Sequence, residues 1–199
     1  MALLDWMAPD AGLRLENRQV MLRPPRAGDY SAWSDLRRRS RVFLQPWEPA
    51  WPADDLSRTA FRRRLLAYQR EMDLGQGYSF LVFRREDDLL VGGVTLSNVR
   101  RGVAQMGSIG YWVGQPYTRQ GYTLAAVRAV IGFALGRLGL HRLEAACVPE
   151  NEPSRSLLLR AGFEREGRAP AYLKINGEWR DHLLFGLIAP GGEARPSAE

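Results

Sequence analysis

The stretch of this chain best suited to chemistry runs from Tyr111 to Ala126, YWVGQPYTRQGYTLAA. It reads as a strand, a tight loop and the start of a helix. The first N–H groups of a helix have no internal acceptor and sit at the positive end of the helix dipole, so they suit a phosphate or a diphosphate. Gly121 lets the backbone approach such a ligand with no Cβ in the way. Arg119 adds a charge-assisted contact. The loop backbone from Gln120 through Gly121 and Tyr122 to Thr123 is the expected cradle; the alternative is an ordinary strand-to-helix turn.

Other residues offer acid–base or polar chemistry. Glu144 alternates with Leu143 and Ala145. On a strand it therefore faces away from whatever helix layer covers those apolar neighbours. It is a candidate general base, or else a solvated or ion-paired strand carboxylate. Glu48, in a loop between Pro46 and Pro49, is a candidate for recognising an amine or relaying its proton, or else is plainly solvated. Tyr172 lines an acceptor cleft or packs in the core. Asn151 and Ser154 stand three apart at the start of a helix, a good capping pattern. Cys147 lies in an interior strand and reads as a small buried hydrophobe. His141 and His182 are single and not spaced as metal ligands. The chain has no Ser-His-Asp elbow, no zinc spacing and no GKS/GKT phosphate loop.

The elements that must position these residues can be read in order. Leu13–Glu16 and Gln19–Arg23 are short strands around Asn17-Arg18. Asp29 is expected to cap a helix reaching about Arg39. Pro46, Pro49 and Pro52 hold a loop, and Asp54 or Asp55 is expected to start a second helix that ends before Gly75. Tyr78–Phe83 and Leu89–Leu96 form a hairpin, and Gly107–Val113 is a further strand. Thr123–Leu138 is a helix with Gly139 past its end. Leu143–Val148 is a strand, Glu152–Ala161 a helix stopped by Gly162. Phe163–Lys174 and Trp179–Ile188 form a last hairpin around Asn176-Gly177. The sum is a mixed α/β sheet domain.

The 199 residues suffice for one domain, expected over 1–188, with residues 189–199 (APGGEARPSAE) as a disordered tail. No apolar run reaches the roughly 20 residues of a membrane span. The first ten residues lack a basic n-region, and with a single cysteine no internal disulfide forms; both point to the cytoplasm. The formal net charge is +6, and Lys174 is the only lysine. Arginine favours polyanionic partners, although a GC-rich composition produces the same bias. The runs Arg37-Arg38-Arg39 with Arg41, and Arg62-Arg63-Arg64, are solvated helix faces or a patch that docks on RNA.

Thr118-Arg119-Gln120-Gly121-Tyr122-Thr123 resembles the pyrophosphate loop of the GNAT acetyltransferases, Gln/Arg-x-x-Gly-x-Gly/Ala. Gly121 matches, while Thr118 and Thr123 depart. From about Val20 to Ile188 the chain is similar to the RimJ/RimL group of ribosomal-protein N-acetyltransferases. The marks are Leu44-Gln45-Pro46-Trp47-Glu48-Pro49, Leu96-Ser97-Asn98-Val99, Leu140-His141-Arg142-Leu143-Glu144-Ala145, Pro149-Glu150-Asn151-x-x-Ser154, Gly162-Phe163 and Asn176-Gly177-Glu178-Trp179-Arg180-Asp181-His182. Each is weak alone, but six occur in the right order.

The resemblance implies a GNAT-type fold: a central, mostly antiparallel sheet with splayed middle strands and flanking helices. It implies acetyl-CoA as donor, with Trp112 and Val113 beside the thioester and pantetheine, and Asn151 and Ser154 near the pantetheine and thiol. Ser154, Glu144 and Glu48 are then the catalytic candidates. An α-amine titrates near ~8, so a base, direct or through water, must help it lose a proton. The expected acceptor is the Ala or Ser N-terminus of a ribosomal protein. The alternatives are a small amine such as an aminoglycoside, polyamine or amino-acid-like compound, or a ribosome-associated assembly factor. A monomer and a homodimer are both compatible with the sequence.

Overall fold

The computed structural model describes residues 12–190, so all but the first two residues of the expected tail lie outside the described residues. Eight strands form one sheet: β1 (Leu15–Glu16), β2 (Val20–Arg23), β3 (Tyr78–Arg84), β4 (Leu90–Arg100), β5 (Met106–Val113), β6 (Arg142–Cys147), β7 (Glu164–Ile175) and β8 (Glu178–Ile188). Their order is β1-β2-β3-β4-β5-β6-β8-β7. Every neighbouring pair is antiparallel except β5 and β6, which run parallel. The helices are α1 (Tyr30–Arg39), α2 (Arg41–Leu44), α3 (Arg58–Asp73), α4 (Tyr122–Gly132) and α5 (Glu152–Ala161).

Side-chain alternation along β3 explains the layering. Phe80 and Val82 join a core with Ala126, Val127 and Val130 of α4 and Leu158 of α5. Leu81 and Phe83 point the other way, into a second core with Trp33 and Leu36 of α1 and Phe61 of α3. A strand covered on both faces needs an unbroken apolar run, and Phe80–Phe83 supplies one. Burying each Leu, Val or Phe contributes roughly 1.5–3 kcal/mol, so the two cores hold the sheet between its helices.

The feature that matters for function is a gap. β5 and β6 pair only at Met106↔Arg142, Gly107↔Leu143 and Ser108↔Glu144. Beyond Ser108, β5 keeps its ladder with β4 as far as Val113, and β6 keeps its ladder with β8 as far as Cys147. Each strand follows its outer neighbour, and the two diverge towards their C-terminal ends. Backbone groups of Ile109–Val113 that face β6 are therefore left for a ligand or solvent to satisfy.

Element ends differ from expectation in instructive ways. Asp29 does not cap α1. Its carboxylate accepts the Arg26 N–H (2.7 Å) and both guanidinium nitrogens of Arg23 (2.7 and 2.6 Å). Neither Asp54 nor Asp55 starts α3; the Ser57 hydroxyl does, accepting the Ala60 N–H at 3.0 Å. The aspartates instead pair with Arg63 and Arg64 in the second turn of the helix. α4 ends at Gly132 and continues as a π-helical turn, Phe133–Arg137, closed by the Leu138 N–H on the Phe133 carbonyl at 3.0 Å. Asn176 and Gly177 take φ of +46° and +90°, the left-handed pair of a two-residue hairpin turn.

Candidate active site

The loop between β5 and α4 carries two left-handed residues, Arg119 (φ +60°) and Gly121 (φ +85°). Such alternation turns backbone N–H groups towards one concavity, as in anion-binding nests. The first helical hydrogen bond is donated by the Ala125 N–H to the Gly121 carbonyl (3.0 Å), so the amides from Gly121 to Leu124 have no helical acceptor. A Cβ at Gly121 would meet nothing nearer than the Gln19 side chain at 3.6 Å, so the approach is open. The Gln120 side chain donates to the Pro116 carbonyl (2.9 Å) and the Thr118 hydroxyl to the Gln115 carbonyl (3.0 Å). These two side chains hold the loop's shape, leaving its amides to meet a ligand. Arg119 is exposed at the rim, and Tyr122 and Thr123 open the helix. A cavity of about 720 Å³ continues from Gly121 along α4, lined by Arg18, Arg128 and Arg160 among others. Its charge suits the remaining phosphate of a coenzyme A.

The gap between β5 and β6 opens directly from this loop. On its α5 side, the Tyr111 hydroxyl lies 2.8 Å from the Ser154 Oγ. Burial pushes the Tyr111 phenol far above its ordinary value, against the opposing effect of the Ser154 hydrogen bond. The Tyr111 phenol therefore keeps its proton across the neutral range. Asn151 caps α5, its Oδ1 accepting the Ser154 N–H at 3.1 Å, and this fixes Ser154 at the gap. Cys147 is buried in the same core, and burial pushes its thiol up, so it is a poor nucleophile. Trp112 packs its indole on the α1/α3 face with Arg37 4.9 Å above the ring, so only its backbone, with that of Val113, faces the gap.

Glu144 turns to the opposite face from Leu143, Ala145 and Cys147. There it lines a cavity of about 580 Å³ together with Ser97, Ser108, Glu71 and Tyr172. Arg142 donates to its Oε1 at 3.3 Å, and Arg142 is itself held by Glu166. Tyr172 reaches this cavity because β7 bulges between Ala169 and Leu173, and its ring rests 5.6 Å from that of the buried His182.

Glu48 is held in an ion pair on the α1 side of the molecule. Arg37 donates to both its oxygens at 2.7 Å, and the Trp51 indole N–H donates to Oε2 at 2.8 Å. Arg37 also stacks 4.2 Å from the Trp51 ring. These contacts tie the loop to α1. Within the arginine runs, Arg37 is buried, Arg38, Arg63 and Arg64 pair with Asp35, Asp54 and Asp55, and Arg39, Arg41 and Arg62 are exposed. Removing one partner of a pair with side-chain exposures of 9% and 20% strands a charge. Arg37→Ala is expected to cost about 2 kcal/mol in a denaturant titration. Glu48→Gln should likewise shift the midpoint; a variant with a native midpoint and lost turnover would return Glu48 to the chemistry.

Sequence reading missed Tyr111 and Glu71. Tyr111 sits on the helix-covered face beside Ile109, where an aromatic reads as core. Only its three-dimensional meeting with Ser154 gives it a second role.

A splayed parallel pair beside a glycine-opened helix N-terminus defines an acyl-CoA transferase of the GNAT type. The family model described as an acetyltransferase (GNAT) domain matches residues 19–164, and the chain belongs to that family. It is an acetyl-CoA-dependent N-acetyltransferase. Among curated relatives, it is 32% identical to the probable N-acetyltransferase YjcK of Bacillus subtilis (strain 168), over 90% of this chain and 99% of that one. It is 34% identical to the [ribosomal protein uS5]-alanine N-acetyltransferase of Escherichia coli (strain K12), over 81% and 84%. The solved structure of Mycobacterium smegmatis RimJ in complex with CoA-disulfide superposes with a TM-score of 0.83 at 35% identity, covering 92% of this chain and 89% of that one. No described helix is long and apolar enough to cross a membrane.

Proposed function

We propose that the acceptor is the N-terminal α-amine of a protein that begins with Ala or Ser, and that this protein is ribosomal. The observation that carries the reading is the open cavity of about 580 Å³ on the Glu144 face, which meets the β5–β6 gap at Ser108. A chain terminus can enter there while acetyl-CoA approaches from the loop at Gly121. The similarity to an enzyme named for uS5 alanine supports the choice of acceptor.

When bound, acetyl-CoA supplies the acetyl group as an activated thioester. The chain's own residues then divide the work. Amides from Gly121 to Leu124 would hold the diphosphate, and the unpaired edge of Ile109–Val113 would align the pantetheine arm. Glu144, directly or through a water, takes the proton that the α-ammonium must lose. Ser154 holds a proton for the departing sulfur, with Tyr111 as the buried group hydrogen-bonded behind it.

The test is a panel of peptides and small amines incubated with acetyl-CoA and read by mass. Peptides beginning with Ala or Ser should gain one acetyl group at the α-amine, ahead of peptides beginning with a bulky residue. Modification of aminoglycosides or polyamines alone would overturn the protein-acceptor reading.

A further inference from the structure

The acceptor cavity has a direction. Ser108 is paired with Glu144 on one side and Ser97 on the other. Tyr78 pairs with Leu96, so continuing that register by one residue places Gly77 opposite Ser97. Glu144, Ser108, Ser97 and Gly77 therefore form one row across four adjacent strand lines, with two serine hydroxyls along its floor. A Cβ built on Gly77 would lie 2.8 Å from Oε2 of Glu71, so the Glu71 carboxylate sits at the far end of the row. Three strand spacings of ~4.8 Å put it about 14 Å from Glu144.

The two ends differ electrostatically. Glu144 shares Arg142. Glu71, half-buried in the last turn of α3, has no ion-pair partner among the described residues. The lining cation, Arg100, donates to the Met106 sulfur at 2.9 Å. Beside the cavity, β4 bulges between Ser97 and Arg100, with Asn98 left-handed at φ +51°. Bulges of this kind next to a site re-aim side chains and widen the groove.

We infer that the trough binds the acceptor's first residues in extended form across the strands, and that Glu71 selects a cationic side chain at the fourth or fifth position. This rests on the protein-acceptor reading above. An extended chain advances about 3.3–3.6 Å per residue, so an α-amine held near Glu144 places a side chain about four residues on beside Glu71. A half-buried carboxylate favours Lys or Arg there and opposes Glu.

The experiment uses Ala-initiated peptides with Lys, Ala or Glu scanned through positions three to five, assayed with the wild-type enzyme and with Glu71→Gln and Glu71→Lys. The wild type should favour the best-placed Lys over Glu in kcat/KM by about two- to fivefold, the range of a partly exposed ion pair. Glu71→Gln should flatten the preference and Glu71→Lys should invert it. Calorimetric binding of acetyl-CoA confirms that each variant is folded. Peptides acetylated with no charge preference, or with a preference that Glu71→Lys leaves unchanged, overturn the inference while the protein-acceptor reading stands. Acetylation of small amines with no peptide modified overturns both.

Discussion

A Gly121→Asp enzyme should lose acetyl-CoA binding altogether: millimolar acetyl-CoA should raise the melting temperature of the wild type and leave that of the variant unmoved. Two effects contribute, and their sizes can be compared. Gly121 sits at φ +85°. A non-glycine residue there costs roughly 1–2 kcal/mol, and Asp tolerates this region better than most. The second effect is a carboxylate placed where a diphosphate must bind. Like unit charges at ~4 Å repel by about 4 kcal/mol at an effective dielectric near 20, close to a thousandfold in affinity. The charge therefore dominates the strain. Gly121→Asn carries the strain without the charge and should retain measurable binding. In the wild type, ligand at a hundred times its Kd stabilises by about 2.7 kcal/mol, which for a domain of this size is a shift of roughly 5–10 °C. A Gly121→Asp variant that still shows the full shift would remove the helix N-terminus from cofactor binding.

The second large effect is expected at Ser154. Ser154→Ala removes the hydroxyl 2.8 Å from Tyr111 but leaves the Ser154 N–H capped by Asn151, so α5 keeps its start. Loss of a proton donor typically costs 10²–10⁴ in rate. We expect kcat to fall by about a hundredfold or more, with KM for acetyl-CoA changed little. Tyr111→Phe should cost less, because the tyrosine stands behind the serine. In the double variant the two losses should not add, since both act on one hydrogen-bonded unit. Stopped assays against thermal midpoints separate this from a packing role. If kcat holds while stability falls, the pair is structural only.

What could be read in the sequence follows from how local each signal is. The Asn176-Gly177 hairpin, the stop at Gly162 and the Gly121 turn each depend on a few neighbouring residues, and the structure places all three where glycine geometry demands. The orientation of Glu144 also follows from a local rule, strand alternation. The Tyr111–Ser154 pair does not, because its partners lie 43 residues apart and each has an ordinary local explanation, one as core and the other as a capped helix start. Arg37 hid inside an arginine run that reads as a solvated face, yet its helical position points it inward to Glu48 and Trp51. The π-helical turn after Gly132 was also out of reach. One extra residue in a turn leaves the hydrophobic spacing nearly unchanged, and only the Leu138–Phe133 hydrogen bond reveals it. Glu71 was invisible for a different reason: its significance is the empty space beside it, which no sequence pattern encodes.

Hydrogen exchange with and without coenzyme A addresses the central claim most directly, because it reads the backbone amides to which binding is assigned. On adding the coenzyme, exchange should slow at Gly121–Leu124 and along Ile109–Val113, with β1 to β3 unaffected except where they border the loop. Equal exchange at those amides under saturating coenzyme, or protection confined to another part of the sheet, would contradict the assignment of this turn and this gap as the place where acetyl transfer occurs.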